Sequence, residues 1–431
     1  MITADQTSTF PRFLDVAYPS VERGEGVWLY TAGGAKILDG CSGGAMVSNL
    51  GHGARGIIDA GAEQAEKIAY FYMDHFTNDP QERLAERLIS VAAPEMARVR
   101  FTSSGSEANE TALRLARAYH VDRGEADRWR VISAAQSYHG STMATLALSG
   151  RRRTLQEPFT PYLSPHLHIG KGDDALRELD ERLDEAGPGA VAAFFCEPVS
   201  GAALPAYSPP ESFWHGLAER RAKHGFLICF DEVVTAIGRT GSWLAYQQLP
   251  IEPDIVTVGK GLGAGYAPIS AMLCKEHVYE AVARGSRFFD LGHTWDGAPV
   301  SCATGLAVLT AVADGRLVER VRGRGPRLLA DLKAALRGNP IVGDVRGRGF
   351  LLGVSLVDPR DRRALLPHEL HMDERVQEVA LKHGLLITTT HSNPDGYTGD
   401  EVTLAPAFTS SDEELGVMVG RLADTLAEVA A

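Results

Sequence analysis

The runs Ala190-Val191-Ala192-Ala193-Phe194-Phe195-Cys196-Glu197, Phe226-Leu227-Ile228-Cys229-Phe230-Asp231 and Ile255-Val256-Thr257-Val258-Gly259-Lys260 share one pattern. Each is a short apolar run that stops at a charged residue or a glycine-lysine pair. Strands buried on both faces of a parallel sheet read this way. Val99–Thr102 and Val131–Ala135 repeat the pattern, and amphipathic segments at Pro80–Ala92, Glu107–Tyr119 and Pro210–Lys223 alternate with the runs, as does the polar Asp173–Glu185. Strand alternating with helix predicts an α/β fold with a largely parallel sheet. Ligands of such sheets bind at the carboxyl ends of the strands. Glu197, Asp231 and Lys260 are therefore expected to converge on one crevice. Any one of them alone reads equally well as a solvated residue opening a loop; it is the three together that point to a site.

A lysine at a strand end is a candidate nucleophile, provided it is desolvated or tied up as a Schiff base at neutral pH. Gly259, Gly261, Gly263 and Gly265 surround Lys260, and glycines let backbone and ligand approach closely. A phosphate loop of the GxxxxGK[ST] kind does not fit, because Gly261 follows the lysine, and the spacing of a dinucleotide fingerprint also fails. Upstream, Val99–Thr102 runs into Ser103-Ser104-Gly105-Ser106-Glu107. Ser103 or Ser104 can cap the helix that follows, and Glu107 suits its positive end. The backbone N–H groups of such a start form an anion site. A plain capped helix explains the serine and the glutamate; a bound phosphate also explains Gly105. The next strand ends at Gln136-Ser137-Tyr138-His139-Gly140, where Tyr138 could stack on a flat ring or be a half-buried core residue.

The remaining sequence sets the limits. The chain has 431 residues, enough for two or three domains, and its 43 Lys and Arg against 55 Asp and Glu give a net charge of −12. No basic block is present, so nucleic acid is not an expected partner. The apolar runs are too short to span a bilayer, and Met1–Pro11 lacks the basic start and apolar centre of a secretory signal. Cys41, Cys196, Cys229, Cys274 and Cys302 are scattered without a CxxC pair. This is the pattern of reduced core thiols in a cytoplasmic protein. The texture changes after about residue 315. Helical patterns at Val318–Arg337 and Asp373–Lys382 there enclose short strands near Ile341–Arg346, Phe350–Leu356 and Leu385–Thr388. The expected division is a large α/β domain over 61–314, a smaller α+β domain over 315–431, and an N-terminal segment 1–60 packing with the small domain. That segment carries strand-like Gly26–Tyr30 and Lys36–Asp39.

Taken together, these residues resemble the class III (ω-type) aminotransferases of the fold-type I pyridoxal-phosphate enzymes, over nearly the whole chain. The resemblance runs through Leu38-Asp39-Gly40, Gly51-His52-Gly53, Phe101–Glu107, Ser137–Gly140, Phe230-Asp231-Glu232-Val233, Gly238-Arg239-Thr240-Gly241, Pro253–Gly261 and His293-Thr294-Trp295. It implies a mostly parallel seven-stranded-type sheet and pyridoxal 5'-phosphate as cofactor. Lys260 would hold that cofactor as an internal aldimine and shuttle a proton, and Asp231 would pair with the pyridine nitrogen. Tyr138 and Val233 would flank the ring. Ser104, Gly105 and Ser106 would take the phosphate, with Thr294 reaching it from the partner subunit of a homodimer (or dimer-based tetramer). Glu197 would organise the site, and His139 would lie in the cofactor-binding set. No metal is implied. The implied activity is a ping-pong transfer of an amino group from an amine, ω-amino acid or amino acid to a keto acid such as pyruvate or 2-oxoglutarate. An aminomutase, decarboxylase or racemase of the same fold is the alternative.

Departures from the family pattern bear on substrate. Ala202 stands where glutamate- and ornithine-using relatives carry a second glutamate, and His391–Gly396 contains no arginine to grip a substrate carboxylate. Ala236 replaces a glycine of the TGxGRTG run. His368 and His371 lack HExxH spacing and are not expected to hold zinc. Gly347-Arg348-Gly349 reads as a turn and Arg151–Arg153 as a solvated charge run. Tyr72, His75 and Trp295 are candidates for the substrate pocket, the core or an interface.

Overall fold

The computed structural model describes residues 6–92, 94–149, 157–390 and 399–431. The Arg151–Arg153 run and the arginine-free stretch His391–Gly396 lie outside these described residues.

Three strands come first: β1 (Val21–Glu25), β2 (Trp28–Thr31) and β3 (Lys36–Asp39). The central sheet follows, from β4 (Met96–Thr102), β5 (Arg130–Ala134), β6 (Leu167–Ile169), β7 (Val191–Cys196), β8 (Leu227–Asp231), β9 (Ile255–Val258) and β10 (Ser270–Lys275). Its seven strands lie in the order β4-β10-β9-β8-β7-β5-β6. Neighbours from β9 to β6 pair in parallel, while β10 is antiparallel to both β4 and β9. Every residue of β7, β8, β9 and β10 is buried, as two-sided coverage by helices requires. The α/β fold with a mostly parallel seven-stranded sheet is thus the observed one. The sequence reading did not mark β6 and β10. β6 has only three residues, whereas β10 carries an apolar run, Ala271–Cys274, like those of its neighbours.

The remaining strands are β11 (Val342–Arg348), β12 (Leu351–Asp358), β13 (Asp361–Leu365), β14 (Leu385–Leu386), β15 (Thr388–Thr390) and β16 (Glu401–Leu404). They form a second sheet in the order β11-β12-β16-β15, with β13 on β12, while β14 completes a third sheet, β1-β2-β3-β14. β14 pairs with β3 in parallel. Val27 and Leu38 consequently share one core with Leu328, Leu352, Val376 and Leu422. Of the expected turn Gly347-Arg348-Gly349, Gly347 and Arg348 instead end β11, paired with Leu352 and Leu351, and only Gly349 lies in the turn to β12. Gly349 has φ +61°, and a Cβ there would meet the Arg239 carbonyl oxygen at 2.6 Å.

Arg239 of the Gly-Arg-Thr-Gly run is buried at 1% exposure. It donates to the carbonyls of Phe350 (3.1 Å) and Pro406 (2.6 Å) and to Ser42 Oγ (3.1 Å). Burial pulls its guanidinium down to about 10, against the pull of Cys41 and Asp39. One side chain thereby ties the loop after β8 to the second sheet and to the N-terminal segment. All five cysteines are free and buried. Among the described residues no single helix is long and apolar enough to cross a membrane.

Candidate active site

β8 ends on Asp231, which is 6% exposed. Its Oδ2 accepts from Asn109 Nδ2 at 2.8 Å and from the His139 ring at 2.9 Å, and its Oδ1 accepts from the Val233 N–H at 3.0 Å. A carboxylate only accepts, so His139 Nδ1 carries the hydrogen in this contact. His139 lies behind Asp231, edge-on to Phe195 at 5.0 Å. The structure thus makes it a holder of Asp231. Asn109 is fixed in turn, donating to the His139 carbonyl at 2.6 Å while its Oδ1 accepts from Thr257 Oγ1 at 2.6 Å. Charge-assisted bonds from three directions fix both the position and the orientation of the carboxylate.

The sequence reading passed over Asn109 and Thr257. An available signal was Asn109 directly beside Ala108 on the apolar face that Ala112 and Leu115 continue, all of them buried. Asn109→Ala removes a charge-assisted bond of about 1.5–3 kcal/mol. We expect catalytic turnover to fall by about 10- to 100-fold and the urea midpoint to drop with it, because the buried partners His139, Asp231 and Thr257 each lose a bond. Stopped-flow and equilibrium unfolding of the same preparation measure the two effects.

The helix Gly105–Asp122 begins beside this carboxylate. Ser104, and not Ser103, is its cap: Ser104 Oγ accepts from the Glu107 N–H, and Glu107 returns bonds to the N–H groups of Ser103 (2.7 Å) and Ser104 (3.1 Å). This capping box leaves the N–H groups of Gly105 and Ser106 without partners among the described residues. Such a start favours an anion through its N–H groups and the helix dipole. The structure also gives a steric reason for Gly105: a Cβ there would lie 2.8 Å from Val233 Cγ1. The Ser141 N–H donates to Ser106 Oγ at 3.1 Å, joining the helix start to the Tyr138 loop, where Tyr138 Oη contacts Ser141 Oγ at 3.0 Å.

Lys260 follows β9 with φ +41°, a left-handed conformation that is uncommon for a side-chain-bearing residue. Its glycine neighbours are sterically required: a Cβ at Gly259 would meet Ser270 Oγ at 2.4 Å and Val233 Cγ1 at 3.3 Å, and one at Gly261 would meet Asn49 Nδ2 at 2.9 Å. Gly105, Gly259 and Val233 therefore form one contact zone between the ends of β4, β8 and β9. Glu197 is bonded to its own loop and not to the Asp231 cluster. Its carboxylate accepts from the Gly201 N–H (2.8 Å) and Ser200 Oγ (3.3 Å), and burial pushes it above the ordinary carboxylate range. Thr294 is exposed at the tip of the loop 290–297. That loop is pinned by Asp296, which accepts from the His293 N–H (3.1 Å) and Arg100 Nη2 (3.0 Å). Thr294 does not join the Asp231 cluster within this chain. Trp295 and Tyr72 are 57% and 53% exposed, so neither is a core residue.

Comparison with known proteins agrees with this geometry. Residues 13–426 match the family described as aminotransferase class-III. YodT, an uncharacterized aminotransferase of Bacillus subtilis, is 35% identical over 96% of this chain and 96% of its own. A hypotaurine/taurine–pyruvate aminotransferase of Paracoccus denitrificans is 32% identical over 94% of this chain and 91% of its own. Among solved structures, an (S)-enantioselective omega-transaminase from Thermomicrobium roseum superposes with TM-score 0.89 at 32% identity, covering 96% of this chain and 93% of that one. With strand-end carboxylate, flanking helix start and glycine-set lysine all in place, the chain belongs to the class III aminotransferases, fold-type I enzymes that transfer amino groups (EC 2.6.1.-).

Proposed function

We propose that the chain binds pyridoxal 5'-phosphate and transfers an amino group from an amine, ω-amino acid or amino acid donor to a keto acid, pyruvate or 2-oxoglutarate, by a ping-pong cycle. The observation that carries this reading is the Asp231 carboxylate, fixed by Asn109, His139 and Val233 at 2.8–3.0 Å. An acceptor-only group so held suits a protonated pyridine nitrogen. The N–H pair of Gly105 and Ser106 suits a phosphate, so the residues present fit the cofactor. When bound, it supplies an electron sink for a carbanion. Lys260 anchors it and carries the proton from one carbon to another. Tyr138 and Val233 flank the ring, and Ser104 orders the phosphate cradle by capping its helix.

Ala202, and the lack of arginine in His391–Gly396, support the amine and ω-amino acid branch of donors. The relative named for taurine, itself an ω-amine, lies on that branch. Adding donor without acceptor should bleach the visible absorbance and leave one pyridoxamine phosphate per site, and pyruvate or 2-oxoglutarate should restore the colour. Carbon dioxide release or racemisation without bleaching would instead establish the decarboxylase or racemase reading.

The exposed Thr294–Trp295 tip and the nearby exposed rings of Tyr70 and Tyr72 support a homodimer in which Thr294 completes the phosphate site of the partner subunit. Thr294→Ala is then expected to loosen cofactor by about 1.5–3 kcal/mol, roughly 10- to 150-fold in Kd, without altering donor preference. Cofactor titration combined with sedimentation measures it, and an unchanged affinity rules the role out. The five free, buried thiols fit a reducing, cytoplasmic setting.

A further inference from the structure

Beside Gln136 and Ser137, in the loop that leads to Tyr138, lies a small, partly enclosed cavity of about 30 Å³. Lys171, Glu197, Trp214, Tyr207, Ser137 and Phe213 line it. Lys171 follows β6 and Glu197 follows β7, the two parallel strands that flank β5, so each side of β5 delivers one charge to the cavity. The Lys171 Nζ is fully shielded from solvent and has no hydrogen-bond partner among the described residues, and the same holds for Trp214 Nε1. Trp214 is 1% exposed. The ammonium sits 4.9 Å from the centre of the Tyr207 ring, a cation–π contact that leaves its N–H groups unanswered. Buried donors without acceptors are costly, and here two of them line the same small cavity, whose walls are otherwise mostly apolar.

The volume matches about one water molecule. Charge selects among occupants: Lys171 and Glu197 already balance, so a halide would leave excess negative charge in a buried site, whereas water adds none. We propose that the cavity is the binding site of one ordered water, which accepts from Lys171 Nζ and Trp214 Nε1 and donates to the Glu197 carboxylate, making Lys171 a positioning residue that holds Glu197 ionised beside the cofactor site.

Lys171 shares this role with His139, the larger of the two favourable charges on Glu197. Glu197 also feels His139, which favours its charge, and Asp231, which opposes it. Around Lys171, Arg346 and Glu401 bond each other at 2.7 Å and so offset one another. Burial lowers Lys171 to about 8, and Glu197 pulls it back up. Because Glu197 acts on Asp231, the state of this pair reaches the pyridine end of the cofactor pocket.

The water site does not depend on the aminotransferase reading, and its primary test uses the cofactor-free full chain. At neutral pH, infrared spectra of the wild type should lack a protonated-carboxyl band from Glu197. Lys171→Met should create that band, and adding Glu197→Gln to the same chain should remove it. In a high-resolution crystal structure, a water should lie within hydrogen-bond distance of Lys171 Nζ, Trp214 Nε1 and Glu197. Trp214→Phe, which keeps the ring and deletes the donor, should lower the occupancy of that water; this variant carries the test if Lys171→Met fails to fold. In the loaded enzyme, Lys171→Met should shift downward the pH at which the visible band changes, because a nearby negative charge is lost. A Glu197 acid band already present in the wild type, a bromide peak in the cavity after soaking, or Lys171 seated directly on Glu197 would each overturn the proposal.

Discussion

Lys260→Ala is expected to lose transamination altogether. Two functions leave with the amine. One is covalent anchoring of the cofactor; the other is general acid–base transfer, which alone is worth about a hundred- to ten-thousandfold. The fold offers no substitute close by, because a side chain at 259 or 261 would collide with Ser270 or Asn49. Alanine, like lysine, carries a Cβ, so the left-handed conformation at φ +41° costs the variant nothing new, and its thermal unfolding checks that the fold is kept. Partial rescue by an added small primary amine would show that the loss is chemical. Residual turnover above a trace, in amine-free buffer, removes Lys260 from the mechanism.

Asp231→Asn is expected to slow the proton-transfer half-reaction by about a thousandfold or more, roughly 4 kcal/mol of barrier. The amide cannot keep a pyridinium proton in place. The hydrogen bonds add a second cost. Asp231 accepts on Oδ2 from two side chains and on Oδ1 from the Val233 N–H. An amide has one acceptor oxygen, so its NH₂ must face a donor, leaving at least one buried N–H unpaired at about 1–3 kcal/mol. Stability should therefore drop together with rate, and the unfolding midpoint separates the two. A half-reaction near the wild-type rate would make Asp231 purely structural.

The strand ends were legible because burial on both faces forces a run of apolar residues, and the first charge after such a run marks where the strand leaves the sheet. That rule located Glu197, Asp231 and Lys260 without any structure. It was less informative about direction: Glu197 shares the edge with Asp231, yet its carboxylate turns to Gly201 and Ser200. Tertiary partners were invisible for the same reason. Asn109 lies 122 positions from Asp231, and no local pattern says that a helix polar residue will meet a distant strand end. His139 could be placed near the site from its neighbour Tyr138, but its position behind Asp231 depends on the backbone path of the loop. Gly105 carried a misleading emphasis, since its small size is demanded by Val233 whether or not an anion sits there. β10 is buried on both faces and carries the apolar run Ala271–Cys274, so the same rule applies to it, but as an antiparallel strand between β4 and β9 it pointed to no site residue.

The parallel pairing of β3 with β14 has a consequence for biosynthesis. Leu38 and Asp39 find their partners only at Leu385 and Leu386, so about 350 residues must be translated in between, taking about 20–70 s at usual elongation rates. Throughout that interval β1–β3 form a meander whose inner edge is unpaired, and such an edge is a template for pairing with other nascent chains. The central sheet has its strands complete by Lys275 and can assemble first, while the N-terminal strands must wait for the end of the message. Slowed release of the C-terminus, or a truncation before residue 385, should therefore expose the first forty residues to chaperones or to aggregation rather than unravel the central sheet.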